Sequence, residues 1–281
     1  MNNAAVGVYD SGLGGLTAVR AILKFLPNED IIYFGDTGRV PYGNKSDETI
    51  KKYSKQAIKF LKAHNVKIIL AACGTVSSVA IEYLRAEYPD IPIIGVVEAS
   101  CRKAVEIAVN TGNKKIGVIA TAATISKGMY HKYITEYIKD GRFYNVIGKA
   151  CPLFVPLVES GYVAGDNRVI KLVAEDYLAE LRNENLSSLI LGCTHYPMIA
   201  EVIYDIINEE KENNKTVLID SGYESAHELK EVIENKNIAN SMNRKGNLEV
   251  YVSDETVNFA KMASDFLGFD ISQNITKVDI E

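Results

Sequence analysis

Two stretches of the chain resemble each other and decide the fold: IILAACGT at residues 68–75 and LILGCTH at residues 189–195. Each is an apolar run that ends in a small residue, a cysteine and then a threonine within two positions. The two cysteines, Cys73 and Cys193, are 120 residues apart. This spacing fits a chain of two related α/β halves. Coincidence is the alternative explanation, because only five positions match.

Nine apolar runs, including these two, alternate with longer amphipathic windows that have the length of helices. The runs cover residues 6–9, 31–34, 67–72, 92–97, 115–120, 143–148, 188–191, 217–220 and 248–252. Most of them are apolar at consecutive positions, which is typical of strands that are covered on both faces. The alternation therefore predicts an α/β fold of parallel strands joined by right-handed helical crossovers.

The length of 281 residues suits two domains or one large α/β domain. A composition of 47% apolar and 24% charged residues excludes a disordered, collagen-like or coiled-coil chain. The net charge of −5 argues against a nucleic-acid partner, which requires a basic surface. No apolar stretch reaches the roughly 18–20 residues of a membrane span, and the start lacks the charges of a signal peptide. We therefore expect a cytoplasmic chain with reduced thiols and no membrane partner.

Polar side chains that suit chemistry follow the predicted strands directly. In open α/β sheets, ligands bind at the carboxyl ends of the strands. The residues in this position are Asp10, Ser11, Asp36, Thr37, Cys73, Glu98, Thr121, Cys193, Asp220 and Ser221. The shared location predicts a ligand site at these strand ends, but it suits many different functions.

Cys73 and Cys193 have the sequence context of reactive thiols. A cysteine at a strand end, with a helix beginning just after it, lies near helix amides that favour its thiolate. A thiolate can act as a base or as a nucleophile. The alternative is a buried cysteine that packs as a small apolar side chain. That is our interpretation of Cys101 and Cys151, which lack this context.

Two matched thiols that face one pocket indicate inversion of a stereocentre. One thiolate removes a proton from a carbon atom, and the other thiol delivers a proton to the opposite face. Because an amino-acid α-hydrogen is a weak acid, each thiol needs a neighbouring acid or base, and the candidates are Asp10 and His195. Alternatively, Asp10 is the N-cap of the helix that follows, and His195 is a solvated loop residue.

Residues 10–15 read DSGLGG, a glycine-rich turn between a strand and a helix whose amides can cradle an anion. The turn lacks the GxGxxG spacing of dinucleotide sites and the Gly-Lys-Ser/Thr ending of a P-loop, so a small carboxylate fits better than a nucleotide. The PYG turn at residues 41–43 can present backbone amides, and Thr121 and Thr124 can add hydroxyl donors. The four cysteines form no CxxC pair, so no metal site is expected.

Several motifs become specific when they are taken together. They are DSGLGGL at residues 10–16, FGDT at 34–37 with PYG at 41–43, AC at 72–73 with Thr75, GVVE at 95–98, and GCTHYP at 192–197. Through these motifs the sequence resembles the bacterial glutamate racemases, in the cofactor-independent aspartate/glutamate racemase superfamily, over nearly its whole length.

The resemblance implies two similar α/β domains with parallel sheets, related by pseudo-symmetry, with the active site in the cleft between the domains. The C-terminal stretch would complete the first domain. This gives residues 1–97 plus 213–281 for the first domain and residues 98–212 for the second. The resemblance also implies a homodimer that uses no cofactor and no metal.

The implied activity is the interconversion of L- and D-glutamate, which supplies D-glutamate for peptidoglycan biosynthesis and so for the cell wall and cell shape. Cys73 would deprotonate the D-enantiomer and Cys193 the L-enantiomer, with Asp10 and His195 as their respective partners. Glu159 matches an acidic residue of the family near the second thiol. The implied substrate contacts are Asp10, Ser11, Tyr42, Gly43, Gly74, Thr75, Thr121, Thr124, Thr194 and His195.

One position departs from the family. Most glutamate racemases have asparagine directly after the first cysteine, whereas this chain has Gly74. The missing amide would have touched the substrate, so the backbone N–H of Gly74 or a water would have to replace it. We expect an altered substrate affinity but the same class of reaction, because both thiols and their partners are present.

Three other functions stay open on the sequence. The nearest is a sister racemase that acts on aspartate or another small acid, although the DSGLGG opening resembles the glutamate branch. A thiol hydrolase or isomerase would use one cysteine as a nucleophile and form a covalent intermediate. A binding module would hold an amino acid without turnover, but binding alone requires neither thiol.

Overall fold

The structure, a computed structural model, describes residues 1–138, 141, 143–209, 211–255 and 259–280. The strands in these residues are β1 (Ala5–Asp10), β2 (Ile31–Gly35), β3 (Val66–Ala71), β4 (Ile93–Gly95), β5 (Lys115–Ala120), β6 (Asn145–Ala150), β7 (Ser188–Leu191), β8 (Val217–Asp220), β9 (Leu248–Val252) and β10 (Ile275–Lys277).

Helices connect most of the strands. They are α1 (Leu16–Phe25), α2 (Asp47–Ala63), α3 (Gly74–Val79), α4 (Ile81–Glu87), α5 (Val96–Thr111), α6 (Ala122–Ser126), α7 (Met129–Tyr137), α8 (Phe154–Glu159), α9 (Arg168–Arg182), α10 (Ala200–Ile207), α11 (Ser221–Asn235) and α12 (Phe259–Leu267). Short 3₁₀ turns form at Thr37–Arg39, Tyr42–Asn44 and Tyr196–Ile199. Within the described ranges, no helix combines the length and apolar character needed to cross a membrane.

The chain divides into two compact units, one of Met1–Val96 with Gly222–Glu281 and one of Val97–Ser221. The sequence-based division ended the second domain at residue 212. In the structure β8 pairs with β7, so the chain leaves the second sheet only at the end of β8. This pairing brings residues 213–221 into the second unit.

The first unit is built on a six-stranded sheet with the order β10-β9-β2-β1-β3-β4. Every strand pair that the structure describes in this sheet is parallel. All residues of β1, β2 and β3 are buried, which confirms that runs of consecutive apolar residues form strands covered on both faces. The common direction brings the carboxyl ends of these three neighbouring strands to one edge of the sheet.

The second unit contains a four-stranded parallel sheet with the order β6-β5-β7-β8. This order repeats the order β2-β1-β3-β4 of the first sheet, with β3 and β7 in the same place. The two matched stretches of sequence therefore occupy equivalent strands. The repeated order confirms the predicted fold of two similar α/β halves with parallel sheets.

Two local expectations differ from the structure. The strand expected at residues 92–97 ends at Gly95 because α5 begins at Val96, so Glu98 lies in the first turn of a helix and not directly after a strand. The residues after Gly268 carry charges that are typical of a solvated end. They contain β10, which pairs with β9 at the edge of the first sheet.

A close backbone approach fixes the turn after β1 against β2. A Cβ atom at Gly35, the last residue of β2, would lie 2.3 Å from the carbonyl oxygen of Gly12. The same carbonyl accepts a hydrogen bond of 2.7 Å from the hydroxyl of Tyr33. Residue 35 must therefore be glycine, because any side chain would push the turn away from the sheet.

We predict that Gly35→Ala lowers the free energy of unfolding by at least ~1–3 kcal/mol, the usual cost of overpacking, because the obstacle here is backbone. Gly7→Ala in the neighbouring strand β1 is the matched control, since its nearest atoms belong to side chains at 3.2–3.3 Å that can move aside. Urea unfolding followed by far-ultraviolet circular dichroism measures both variants. Equal losses would contradict the backbone clash as the cause.

Candidate active site

Asp10 organises the glycine-rich turn at the end of β1. The residue is 1% exposed, and its Oδ2 atom accepts a hydrogen bond of 2.9 Å from the N–H of Gly12. The N-cap of α1 is Gly15, so the alternative interpretation of Asp10 as the N-cap residue of that helix is wrong. The carboxylate instead folds back on its own turn, two residues further along the chain.

Tyr33 lies beside the same turn and is buried. Burial raises the pKa of its phenol well above the usual value, and the charges of Asp10 and Cys73 raise it further. The phenol therefore stays protonated and donates its hydrogen bond to the Gly12 carbonyl. Because the charges of Asp10 and Cys73 both act on one hydroxyl, these two residues lie close to the same point.

The first thiol, Cys73, comes after β3 and is the N-cap residue of α3. It is 6% exposed, and its sulfur lies 3.3 Å from the hydroxyl oxygen of Ser11. Gly74 and Thr75 begin the helix and are both buried. The structure thus brings four predicted site residues, Ser11, Cys73, Gly74 and Thr75, to adjoining strand ends, in the helix-start context that the sequence predicts for this thiol.

Tyr42 is buried, and its hydroxyl is engaged in hydrogen bonds inside the first unit. The side chain is 1% exposed, and its hydroxyl donates to a carboxylate oxygen of Asp36 while it accepts from the Tyr9 hydroxyl at 3.0 Å. Gly43 follows in the same 3₁₀ turn, Tyr42–Asn44. The turn can therefore offer main-chain amides, as the sequence predicts, with its aromatic side chain turned into the core.

The second thiol, Cys193, comes after β7 and is 9% exposed. Its sulfur lies 3.9 Å from Nδ1 of His195, and the hydroxyl of Thr194 lies 3.4 Å from the same nitrogen. A short 3₁₀ turn, Tyr196–Ile199, follows before α10 begins. The helix expected after this thiol therefore begins at Tyr196 as a 3₁₀ turn and is α-helical from Ala200, whereas the helix after Cys73 begins at the next residue.

His195 is buried and carries a charge-stabilising partner on each ring nitrogen. Its Nε2 atom lies 2.9 Å from Oε1 of Glu159, the last residue of α8. Burial acts to lower the pKa of His195, but hydrogen bonds to Cys193 and Glu159 outweigh it and raise the pKa to about 10. The residue is 6% exposed, so the alternative of a solvated loop histidine is wrong, and at neutral pH the ring is a cation.

Tyr196 ties the loop of the second thiol to the segment that carries Glu159. Its hydroxyl donates a hydrogen bond of 2.8 Å to the carbonyl of Cys151. Its ring meets the ring of Phe154, the first residue of α8, edge to face at 5.2 Å between centroids. These two contacts fix the separation between Glu159 and His195.

Thr121 and Thr124 lie together at the end of β5, next to β7 in the second sheet. Thr121 is the N-cap of α6, and its hydroxyl accepts from the Thr124 amide at 3.4 Å. The Thr121 hydroxyl also donates to the Thr124 hydroxyl at 3.0 Å. Both predicted donors are thus held by helix capping at the strand end that neighbours the Cys193 strand.

The other two cysteines have the surroundings of packed thiols. Burial raises the pKa of Cys101 well above its usual value, and its sulfur contacts the carbonyl oxygen of Tyr130 at 3.7 Å. Burial also raises the pKa of Cys151 to about 12, although Lys149 acts in the opposite direction. In the described part of the chain, none of the four cysteines forms a disulfide, and no cluster of His, Cys, Asp and Glu suits a metal ion.

Sequence reasoning missed the anchor of the turn at Tyr42. The sequence draws attention to Asp36 only as a residue after a strand and as part of the FGDT motif, and it gives no sign of a role for Ser253. In the structure the Ser253 hydroxyl donates to Oδ1 of Asp36 at 2.8 Å. The contact joins residues 217 positions apart, so no local pattern could have revealed it.

Known proteins similar to this chain include several that are named glutamate racemases. The profile of the family described as Asp/Glu/Hydantoin racemase matches residues 16–224. The chain is 40% identical over 264 residues to a glutamate racemase of Geobacter metallireducens, which covers 94% of this chain and 93% of that protein. It is 40% identical over 281 residues to a glutamate racemase of Thermoanaerobacter pseudethanolicus, with coverage of 100% and 99%.

A solved structure shows the same likeness. The crystal structure of glutamate racemase from Francisella tularensis in complex with D-glutamate superposes with a TM-score of 0.88 and 35% sequence identity. The match covers 100% of this chain and 99% of that chain.

We predict that Glu159→Gln lowers the pKa of His195, because the variant removes the carboxylate that stabilises the imidazolium. In the unaltered protein the raised pKa stabilises the fold fully below about pH 6.5, and this contribution is lost as the pH rises through about 10. Histidine NMR titration measures the change. Glu231→Gln, which removes the exposed partner of His227, is the control and should leave the His195 titration unmoved.

Proposed function

This chain belongs to the Asp/Glu/Hydantoin racemase family, and from that premise we propose that it interconverts L- and D-glutamate by moving the α-proton between the thiols of Cys73 and Cys193. The observation that carries the proposal is a buried thiol after each of the equivalent strands β3 and β7, each beside a polar partner. Relatives that match almost the entire chain are named glutamate racemases, which supports glutamate over aspartate as the substrate.

Inversion at the α-carbon requires an acid or base on each of its faces, because a single base would return the proton to the side it came from. From L- to D-glutamate, the thiolate of Cys193 takes the α-proton and forms an S–H bond. The electron pair of the broken C–H bond stays on the α-carbon and is delocalised into the α-carboxylate. The thiol of Cys73 then protonates the opposite face and is left as a thiolate. The reverse reaction exchanges these roles.

The imidazolium of His195 compensates the negative charge that Cys193 carries before it takes the proton. Glu159 holds the ring from the other side at 2.9 Å, so Nδ1 faces the sulfur. The arrangement is that of a thiol paired with a cationic histidine, whose orientation is set by a third group. Glu159 therefore acts on the reaction through His195.

Cys73 works in a different setting. The helix α3 begins at its own position, and N–H groups of a first helical turn favour a negative charge nearby. The Ser11 hydroxyl, 3.3 Å from the sulfur, can donate a hydrogen bond to the thiolate. We propose that Asp10, fixed by the Gly12 amide, exchanges the proton of this thiol with its surroundings.

Glutamate brings two carboxylates and one ammonium group to the site. We propose that the amides of residues 10–15 and of the Tyr42–Asn44 turn bind carboxylate oxygens, with hydroxyl donors from Thr75, Thr194, Thr121 and Thr124. Gly74 offers only its backbone where the family has asparagine. We propose that affinity for the substrate is altered at this point and that the reaction is the same.

The chemistry also bears on the place of the enzyme in the cell. Oxidation of either thiol would abolish proton transfer, so we propose a cytoplasmic enzyme that is kept reduced. Its product, D-glutamate, would serve peptidoglycan biosynthesis, and the assembly would be a homodimer. Both statements rest on the resemblance to glutamate racemases.

We predict that Cys73→Ser and Cys193→Ser each slow the racemisation of L-glutamate by about 10²–10⁴-fold, the usual contribution of a general acid or base. The assay follows optical rotation without added cofactor, and the unaltered enzyme should bring the rotation to zero. Cys101→Ser, which changes a thiol that packs against a backbone carbonyl, is the matched control and should keep a rate near that of the unaltered enzyme.

Full activity in either active-thiol variant would rule out the two-base mechanism, as would a requirement for pyridoxal phosphate. In heavy water, deuterium should enter the α-position during turnover. A trapped covalent adduct on one cysteine would instead support a thiol hydrolase or isomerase. Binding of glutamate without any exchange would support a binding module, and faster turnover of aspartate would support the sister racemase.

A further inference from the structure

We infer that Asp36 and Ser253 are positioning residues that fix the substrate-binding turn Tyr42–Asn44. The inference rests on the proposed function, since it assigns a purpose to the turn that would bind glutamate. Neither residue would touch the substrate. Both would act through the hydroxyl of Tyr42 and the backbone that this hydroxyl anchors.

The Asp36 carboxylate is fully buried and receives hydrogen bonds from three side chains. Nε of Arg39 donates to Oδ1 at 2.9 Å and to Oδ2 at 2.8 Å. The Tyr42 hydroxyl donates to Oδ2, and the Ser253 hydroxyl donates to Oδ1 at 2.8 Å. A buried charge is tolerated only when it is paired and hydrogen-bonded, so these contacts depend on one another.

Arg39 is itself held rigidly. Its Nη1 atom donates to Oε1 of Gln56 at 2.6 Å, and its guanidinium carbon lies 4.0 Å from the centre of the Tyr53 ring. A guanidinium that is stacked and bonded in this way presents its donors in one fixed direction. Arg39 therefore holds the Asp36 carboxylate in one position, and the carboxylate in turn holds the Tyr42 hydroxyl that donates to it.

Ser253 connects this cluster to the end of β9. While its hydroxyl donates to Asp36, it accepts a hydrogen bond of 2.9 Å from the N–H of Gly38. The next residue repeats the link, because the Asp254 amide donates to the Thr37 hydroxyl at 2.9 Å. The segment after β9 thus holds residues 36–38, which lead directly into the turn.

The anchor explains how a turn with a buried side chain can present its amides accurately. Burial raises the pKa of Tyr42, followed by the effects of Tyr9 and Asp36, so the phenol stays protonated and keeps donating. If one of the hydrogen bonds to Asp36 is lost, the Tyr42 ring is no longer held at one depth in the core, and the amide of the neighbouring Gly43 shifts with it. Small displacements of binding groups are costly because the substrate must be held in one geometry.

The test compares Ser253→Ala and Asp36→Asn with Ser253→Thr, which keeps the hydroxyl. We expect Ser253→Ala to raise KM for glutamate about 10-fold, with kcat changed less than about 2-fold, because the affected group binds substrate but transfers no proton. Asp36→Asn should raise KM further. Ser253→Thr should restore values near those of the unaltered enzyme. Lys277→Ala removes the exposed ion pair with Asp254 in the same segment and is the control.

A second measurement needs no substrate. Amide hydrogen exchange in residues 38–45 should be faster in Ser253→Ala than in Lys277→Ala. Exchange and KM equal to those of the unaltered enzyme in Ser253→Ala would overturn the inference, and so would a loss of stability with KM unchanged. If the unaltered enzyme does not racemise glutamate, the proposed function fails, and hydrogen exchange alone decides whether Ser253 anchors the turn.

Discussion

Parallel strand pairing is the constraint on which the rest of the structure depends. Every strand pair that the structure describes in the two sheets runs in the same direction, so each sheet has one edge where all strands end. Asp10, Asp36 and Cys73 are far apart in sequence and meet because β1, β2 and β3 are neighbours. Thr121 lies near the strand of Cys193 because β5 pairs with β7. The order and direction of the strands therefore bring these side chains together at the strand ends.

The buried charges at these edges are the second constraint, because each must be compensated where it stands. Asp36 is balanced by Arg39, and His195 by Glu159. Asp10 bonds to an amide of its own turn. These contacts leave the charged groups little freedom of position. A buried charge that is separated from its partner loses far more stabilising free energy than a charge in an exposed ion pair does. Compensation and accurate placement are therefore achieved by the same contacts.

Sequence reasoning predicted the features that local chemistry determines. Runs of consecutive apolar residues located the buried strands, and Cys73 and Cys193 lie at strand ends as the sequence predicts. It failed where the deciding contact lies far along the chain. The C-terminal residues form β10 only because β9 offers an edge to pair with. Likewise Ser253 reaches Asp36 because β9 lies next to β2 in the sheet, and nothing in the sequence around either residue signals the other.

The two halves have the same strand order but different groups around their thiols. Thermodynamics limits how far this difference can affect the proposed reaction. The sulfur of Cys73 lies at a helix start beside a serine hydroxyl, whereas that of Cys193 lies beside a histidine that Glu159 holds as a cation. For the proposed reaction, enantiomers in water have equal free energies, so the equilibrium constant is unity whatever surrounds each thiol. The ratio kcat/KM must then be the same in both directions. For the two enantiomers, kcat and KM can therefore differ only by the same factor, so the unlike surroundings of the two thiols cannot decide which enantiomer accumulates.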